Sequence, residues 1–150
     1  THGHSDRAGG LSATAKRGIS SYALSRTMIE VARHNTETVT FALLEDHFAF
    51  DLGGRVVEVY YPGPGHTVDN TVVYDRSSRT LFGGCLIRSE SATDLGFTAD
   101  GNISEWGLSV ARAARRYPDS NIVVPGHGDS KDAKLFAHTI KLVEHHADYH

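Results

Sequence analysis

The chain has 150 residues, a formal charge of −3, ten histidines and a single cysteine. That length suits one domain able to bury roughly two-thirds of its unfolded surface, and the mixed, mildly negative charge lacks the basic field of nucleic-acid binders, so a small-molecule partner is expected. No apolar run approaches the ~20 residues of a membrane span, no signal peptide stands at residue 1, and the lone thiol excludes an internal disulfide while raising the question of a metal.

The opening residues, Thr1-His2-Gly3-His4-Ser5-Asp6, put three ligand types at every second position. Alternate side chains of an extended segment point to one side, so His2, His4 and Asp6 are expected to converge. Imidazole with carboxylate suits a borderline ion such as zinc. Three groups do not complete a site, and the rest of the chain supplies more: His66 in Gly65-His66-Thr67, Cys85 after Gly83-Gly84, and His127 in Gly126-His127-Gly128, each at a glycine-rich turn.

After Asp6, Ala8, Leu11 and Ala15 have helical spacing, with Gly18 as a stop. Residues 19–23 read as a brief buried strand. Leu24, Met28 and Val31 predict a helix ending near Asn35, with Met28 as core filler. Residues 38–44 are rich in strand formers, and residues 47–50 and 55–61 form a hairpin around Asp51-Leu52-Gly53-Gly54. Its second strand leads to His66. Residues 70–74 and 80–82 make another hairpin that delivers Cys85. Trp106, Val110, Ala113 and Tyr117 give one apolar helix face, capped by Ser104 and ended by Pro118. Residues 121–124 are a short strand into the His127 loop. Phe136, Ile140, Val143 and Ala147 repeat the spacing in a last helix with Ser130 as its cap. The order predicts an α/β sandwich, residues 1–150 as one domain, with the ligand loops at one edge.

Judged singly, a loop His is ordinarily a surface residue and a lone Cys a small buried hydrophobe. The joint pattern is different, because each later His or Cys sits in a turn after an expected strand. The other histidines lack this context: His34 and His47 have no ligand neighbour, and His138, His145, His146 and His150 lie on or after the last helix, where His146 and His150 form an i, i+4 pair read as a solvated helix end.

The residues resemble the metallo-β-lactamase superfamily, and more closely its broad-spectrum dizinc subclass. The resemblance is carried by His-x-His-x-Asp followed by Arg7, by Cys85 where many relatives have Asp or Ser, by Gly65-His66-Thr67-Val68-Asp69-Asn70, and by Pro125-Gly126-His127-Gly128. It implies the αβ/βα sandwich of that family, here mainly its C-terminal half plus the motif-bearing helix. By the same similarity His2, His4 and His66 hold one zinc and Asp6, Cys85 and His127 the other, with Asp6 and His66 as the catalytic pair. Three protein ligands per ion leave an open position, as in catalytic sites. The implied reaction is hydrolysis of the β-lactam amide bond by a metal-bound hydroxide, with no acyl-enzyme.

Arg88, three residues after Cys85, occupies the place where relatives carry a Lys for the substrate carboxylate, and an Arg can make that contact bidentately. Arg7, Asp69 and Asn70 are expected to orient the ligands from behind. One departure is Phe97, in Leu95-Gly96-Phe97, where relatives have an Asn that assists at the substrate carbonyl. The other is that relatives have a strand-rich segment and a hairpin loop before the first motif. The resemblance therefore implies a longer polypeptide whose front half stays with the folded object, and export to the bacterial periplasm. Two further readings stay open: another hydrolase of the fold acting on a thioester or lactone, and an inactive zinc-binding fragment that needs a partner chain.

Overall fold

In the computed structural model, which describes residues 1–34 and 39–149, the elements in chain order are α1 (Ser5–Ala8), α2 (Leu11–Lys16), β1 (Tyr22–Leu24), α3 (Ser25–His34), β2 (Phe41–Leu43), β3 (His47–Asp51), β4 (Val56–Tyr60), β5 (Val72–Asp75), β6 (Thr80–Gly84), α4 (Ile103–Arg116), β7 (Ile122–Pro125) and α5 (Lys134–Tyr149). Strands β3 to β7 form one sheet in that order, antiparallel except for the parallel β6–β7 pair. Strands β1 and β2 pair in parallel beside it.

Two reversals separate β4 from β6, and β7 runs with β6, so β4, β6 and β7 all point the same way. Their C-terminal ends therefore share one edge of the sheet. The turns bearing His66, Cys85 and His127 leave from those three ends, and Thr1 joins them there because its carbonyl accepts from Thr71 N at 2.7 Å, one residue before β5. Strand direction alone thus gathers donors that lie up to 125 positions apart in the sequence.

One face of the sheet is the core. Val72, Tyr74, Leu81 and Val123 meet Trp106, Val110, Ala113 and Tyr117 of the α4 face and Leu135, Phe136 and Val143 of α5. Each fully buried aliphatic side chain contributes roughly 1.5–3 kcal/mol. Trp106 keeps its polar handle satisfied, since Nε1 donates to Leu86 O at 2.8 Å. The opposite face is apolar too, but open. Its cross-strand row runs Phe48, Val59, Val73, Phe82 and Val124, with Phe48 and Phe82 both more than two-fifths exposed, and Tyr22 stacks on Phe41 and packs edge-on to Phe50 beside it.

Several local expectations change. Residues 1–6 are not extended throughout: Asp6 lies in α1, and its carboxylate turns back to His2, which precedes the helix, at 3.8 Å. The short strand expected at residues 19–23 is Tyr22–Leu24 and lies at an edge, with Ile19 and Tyr22 half exposed. The strand expected from residue 38 spans only Phe41–Leu43, and Thr38 and the helix end near Asn35 lie outside the described residues. Asn102, not Ser104, caps α4, because its Oδ1 accepts from Glu105 N while Ser104 sits inside the first turn. At α5, Asp132 accepts from Lys134 N at 2.8 Å, the role assigned above to Ser130. Ala147 is exposed, and Leu135 and Thr139 complete the buried face in its place.

Because a side-chain oxygen must satisfy an otherwise orphaned helix N–H, Asn102→Ala is expected to lower unfolding free energy by about 1 kcal/mol and Ser104→Ala by less than about half of that. Urea denaturation of the two variants, with the order reversed, would return the cap to Ser104.

Candidate metal centre

The opening segment is clamped from two sides. Gly3 N donates to the buried carboxylate of Asp69 at 2.9 Å, and Thr71 Oγ1 donates to Thr1 O at 3.1 Å. Asn70 braces the His66 turn, accepting from Thr67 N and Thr67 Oγ1 through Oδ1 and donating to Thr67 O. Both Asp69 and Asn70 are 1% exposed, so each fixes backbone and neither faces the cleft.

These supports bring three imidazoles together. The ring centres of His2, His4 and His66 lie 4.7, 4.9 and 5.2 Å apart, each pair close to perpendicular. Next to them Asp6, Cys85 and His127 offer donor atoms within 4.8 Å of one another, as do His2, His4 and Asp6. Asp6 is the link: Oδ1 faces His2, while Oδ2 lies 3.1 Å from His127 Nε2 and accepts from Cys85 Sγ at 3.6 Å. Arg7 holds this side, donating from Nε to Asp6 Oδ2 at 3.1 Å and through a second nitrogen to Gly126 O. The close passage of that loop needs glycine, since a Cβ on Gly126 would sit 2.7 Å from both N and Cα of Cys85. An open cleft of about 480 Å³ lies over the cluster, with Phe97 and Asp100 opposite Asp6 and His127.

Asp100 is the site residue that the sequence reading missed. Its Oδ2 lies 2.9 Å from His4 Nε2 and so orients that ring. No motif marks it, because an Asp before Gly101 looks like any turn acid. Arg88, expected at the substrate, is not among the described residues lining the cleft. Its guanidinium is held at the turn of residues 94–96, with Nε donating to Asp94 O at 3.1 Å. Phe97 does line the cleft, its ring 5.7 Å from that of His4.

The fit of these groups to a metal rests on their unmet chemistry. His2 Nε2 and His66 Nδ1 are buried and have no hydrogen-bond partner in the protein. Stranding a buried polar atom costs about 1–3 kcal/mol, a cost that coordination removes. Burial, reinforced by His66 and His4, pushes His2 down to about 3, and burial with His4 pushes His66 down to about 4, so both rings are neutral ligands at pH 7. Burial works against ionisation of Asp6, but His2, Arg7, Cys85 and His127 outweigh it and hold the carboxyl below its usual range. Burial pushes the Cys85 thiol up, against the pull of Arg7; a cation supplies what a thiolate there lacks. Imidazole, carboxylate and thiol in this mixture fit zinc.

The two depressed histidines carry a pH signature. Unfolded, each binds a proton near 6.5; folded, each resists until far lower. The unfolded chain therefore holds more protons between those values, and stability present above pH 6.5 is lost as pH falls toward 4. Metal-free protein is expected to lose on the order of 3–4 kcal/mol of unfolding free energy from pH 7 to pH 5, about half from each ring, and His2→Phe to halve that slope. Urea unfolding at both pH values checks it, an unchanged slope in the variant being the contrary result.

Comparison with known proteins shows which family shares this sequence and fold. Residues 1–127 match the family described as the Metallo-beta-lactamase superfamily. The metallo-beta-lactamase type 2 of Bacillus cereus is 40% identical over 144 residues, 96% of this chain and 56% of that protein. IND-1 of Chryseobacterium indologenes is 34% identical over 143 residues, covering 95% of this chain and 59% of its own. A metallo-beta-lactamase structure from Pontibacter korlensis superposes with a TM-score of 0.93 at 40% identity, covering 96% of this chain and 66% of that one. The chain thus spans little more than half the length of the sequence relatives. Because the family match spans most of the chain, the chain belongs to the metallo-beta-lactamase superfamily.

Proposed function

We propose that this chain carries the catalytic centre of a zinc-dependent enzyme that hydrolyses the amide bond of β-lactams. The observation that carries the reading is the meeting of two donor triads under one open cleft, His2 with His4 and His66, and Asp6 with Cys85 and His127. The first triad suits one Zn2+ and the second another. Bound there, zinc supplies a Lewis acid for the lactam carbonyl and makes water acidic enough to ionise near neutral pH.

The chain's own residues set the rest. Hydrolysis adds water across the amide: a C–O bond forms at the carbonyl carbon, the C–N bond breaks, and a proton ends on the ring nitrogen. Asp6, ionised and lying between the triads, is the group that holds that proton at its carboxylate and passes it to the nitrogen. His66 closes the histidine triangle and is kept neutral by burial. Asp100 keeps the His4 ring in one orientation. Phe97 offers no amide to the carbonyl oxygen, so no side chain at that position assists there.

The relatives are longer, and the open face of the sheet bears on that difference. A row of apolar residues from Phe48 to Val124, bordered by Tyr22 and Phe41, is more apolar surface than a solvated sheet presents. We take this face as the seat of the segment that the relatives have and this chain does not span, as the same polypeptide or a separate one. In that second reading the isolated chain binds zinc without turning over substrate.

A chromogenic cephalosporin, a chelator and metal analysis test both readings. Hydrolysis is expected to vanish with chelator and return with Zn2+, and Cys85→Ala is expected to lower kcat/KM by at least about 100-fold, as loss of a ligand group does. Zinc bound at two per chain with no turnover supports the second reading. Turnover indifferent to the chelator would sink the zinc assignment altogether.

A further inference from the structure

The 94–97 turn is built more carefully than an exposed loop requires. Leu95 is 1% exposed and belongs to the main core. Gly96 adopts a left-handed φ of +69°, and its N–H donates to Asp94 Oδ1 at 2.8 Å. Behind it lies Arg88, whose Nε donates to Asp94 O at 3.1 Å and whose Nη2 stands 3.8 Å from Asp94 Oδ1. A Cβ on Gly96 would come within 3.2 Å of both terminal guanidinium nitrogens, so the guanidinium is seated directly against the Gly96 backbone. Arg88 is itself anchored, its N–H donating to Thr139 Oγ1 in α5 at 2.9 Å. The side chain is only 19% exposed.

The product of this turn is the direction of one ring. Leu95 points into the core, Gly96 reverses the chain, and Phe97 is delivered to the cleft, 58% exposed and edge-on to His4 at 76°. Packing does not explain an exposed Phe among His66, Asp100 and His4, because in the free chain it removes little apolar area from water. It gives a polar cleft one apolar wall.

We propose that Arg88 is a positioning residue that clasps the 94–96 turn, and that Phe97, so held, is the specificity-determining wall of the cleft, selecting β-lactams that carry an aromatic side arm. This rests on the hydrolase reading above, but the link between Arg88 and Phe97 does not. The planar fork matters: a Lys keeps the charge and loses the two-point contact with the turn.

Two measurements on the 150-residue chain separate the parts. With 4-fluorophenylalanine at position 97, the fluorine NMR line is expected to be displaced from its unfolded position by the His4 ring. Arg88→Lys is expected to collapse that displacement as fully as Arg88→Ala; a wild-type line in Arg88→Lys overturns the clasp whether or not the chain hydrolyses anything. In the zinc-loaded protein, KM is compared for two penicillins alike except for a benzyl or a methyl side arm. Phe97→Ala and Arg88→Lys are each expected to raise KM for the benzyl substrate about tenfold and for the methyl one less than about twofold, and the double variant to be no worse than Phe97→Ala alone. If Arg88→Lys keeps the wild-type KM while Arg88→Ala raises it equally for both substrates, Arg88 binds the common carboxylate and the proposal fails. Urea midpoints equal to that of the wild type show that the variants fold.

Discussion

Two buried imidazole nitrogens without a partner, on His2 and His66, are the feature around which the molecule is arranged. Several other buried polar groups of the described core are met, Trp106 by a carbonyl, Asn70 by its own turn and Thr139 by α5, while Asp69 Oδ1 and Tyr74 OH are likewise without a partner. At the sheet edge the fold gathers three imidazoles into mutual contact, buries those of His2 and His66, and leaves one nitrogen on each unmatched. Such a cluster is costly as a hydrogen-bonding arrangement. It is economical as a source of neutral donors for a cation, because the burial that depresses the proton affinity of His2 and His66 keeps their lone pairs available at physiological pH.

The support for that cluster is backbone more than side chain. Three strands pointing one way end at the same level, and each is followed at once by a turn that bears a donor. The first residues of the chain reach the site by hydrogen bonds to the start of β5 and to Asp69. Charges then sort the two halves of the centre. On the histidine side, burial dominates and protons are kept off. On the other side Arg7 and the neighbouring imidazoles hold Asp6 ionised, while Cys85 is left short of the positive charge that a thiolate needs.

The sheet's two faces tell a similar story of one satisfied side and one open side. The helix-covered face buries a continuous apolar cluster. The other face repeats the strand alternation with Phe48, Val73 and Phe82 and, among the described residues, has only the small β1–β2 layer near its rim. Strands that are apolar on both faces belong to sheets covered on both faces, which agrees with relatives nearly twice as long.

Composition, periodicity and turn chemistry sufficed to determine the hairpins, the buried stripe of α4 and all six candidate ligands, because each is written within a few residues: an alternation, a 3.6-residue spacing, a histidine or cysteine beside glycine. What only the tertiary structure decided was everything that depends on distant partners. Asp6 comes to His2 from the first turn of α1 and not along one extended strand, because hydrogen bonds to His4 O curl residues 5–8. Asn102 and Asp132 cap their helices where serines nearby were equally plausible locally. Asp100 reaches His4 across 96 positions of sequence, and Arg88 turns to the 94–96 backbone because that turn happens to present a carbonyl, a carboxylate and a bare glycine to its fork. Local sequence specifies which groups are available; the direction of three parallel strand ends decides which of them meet.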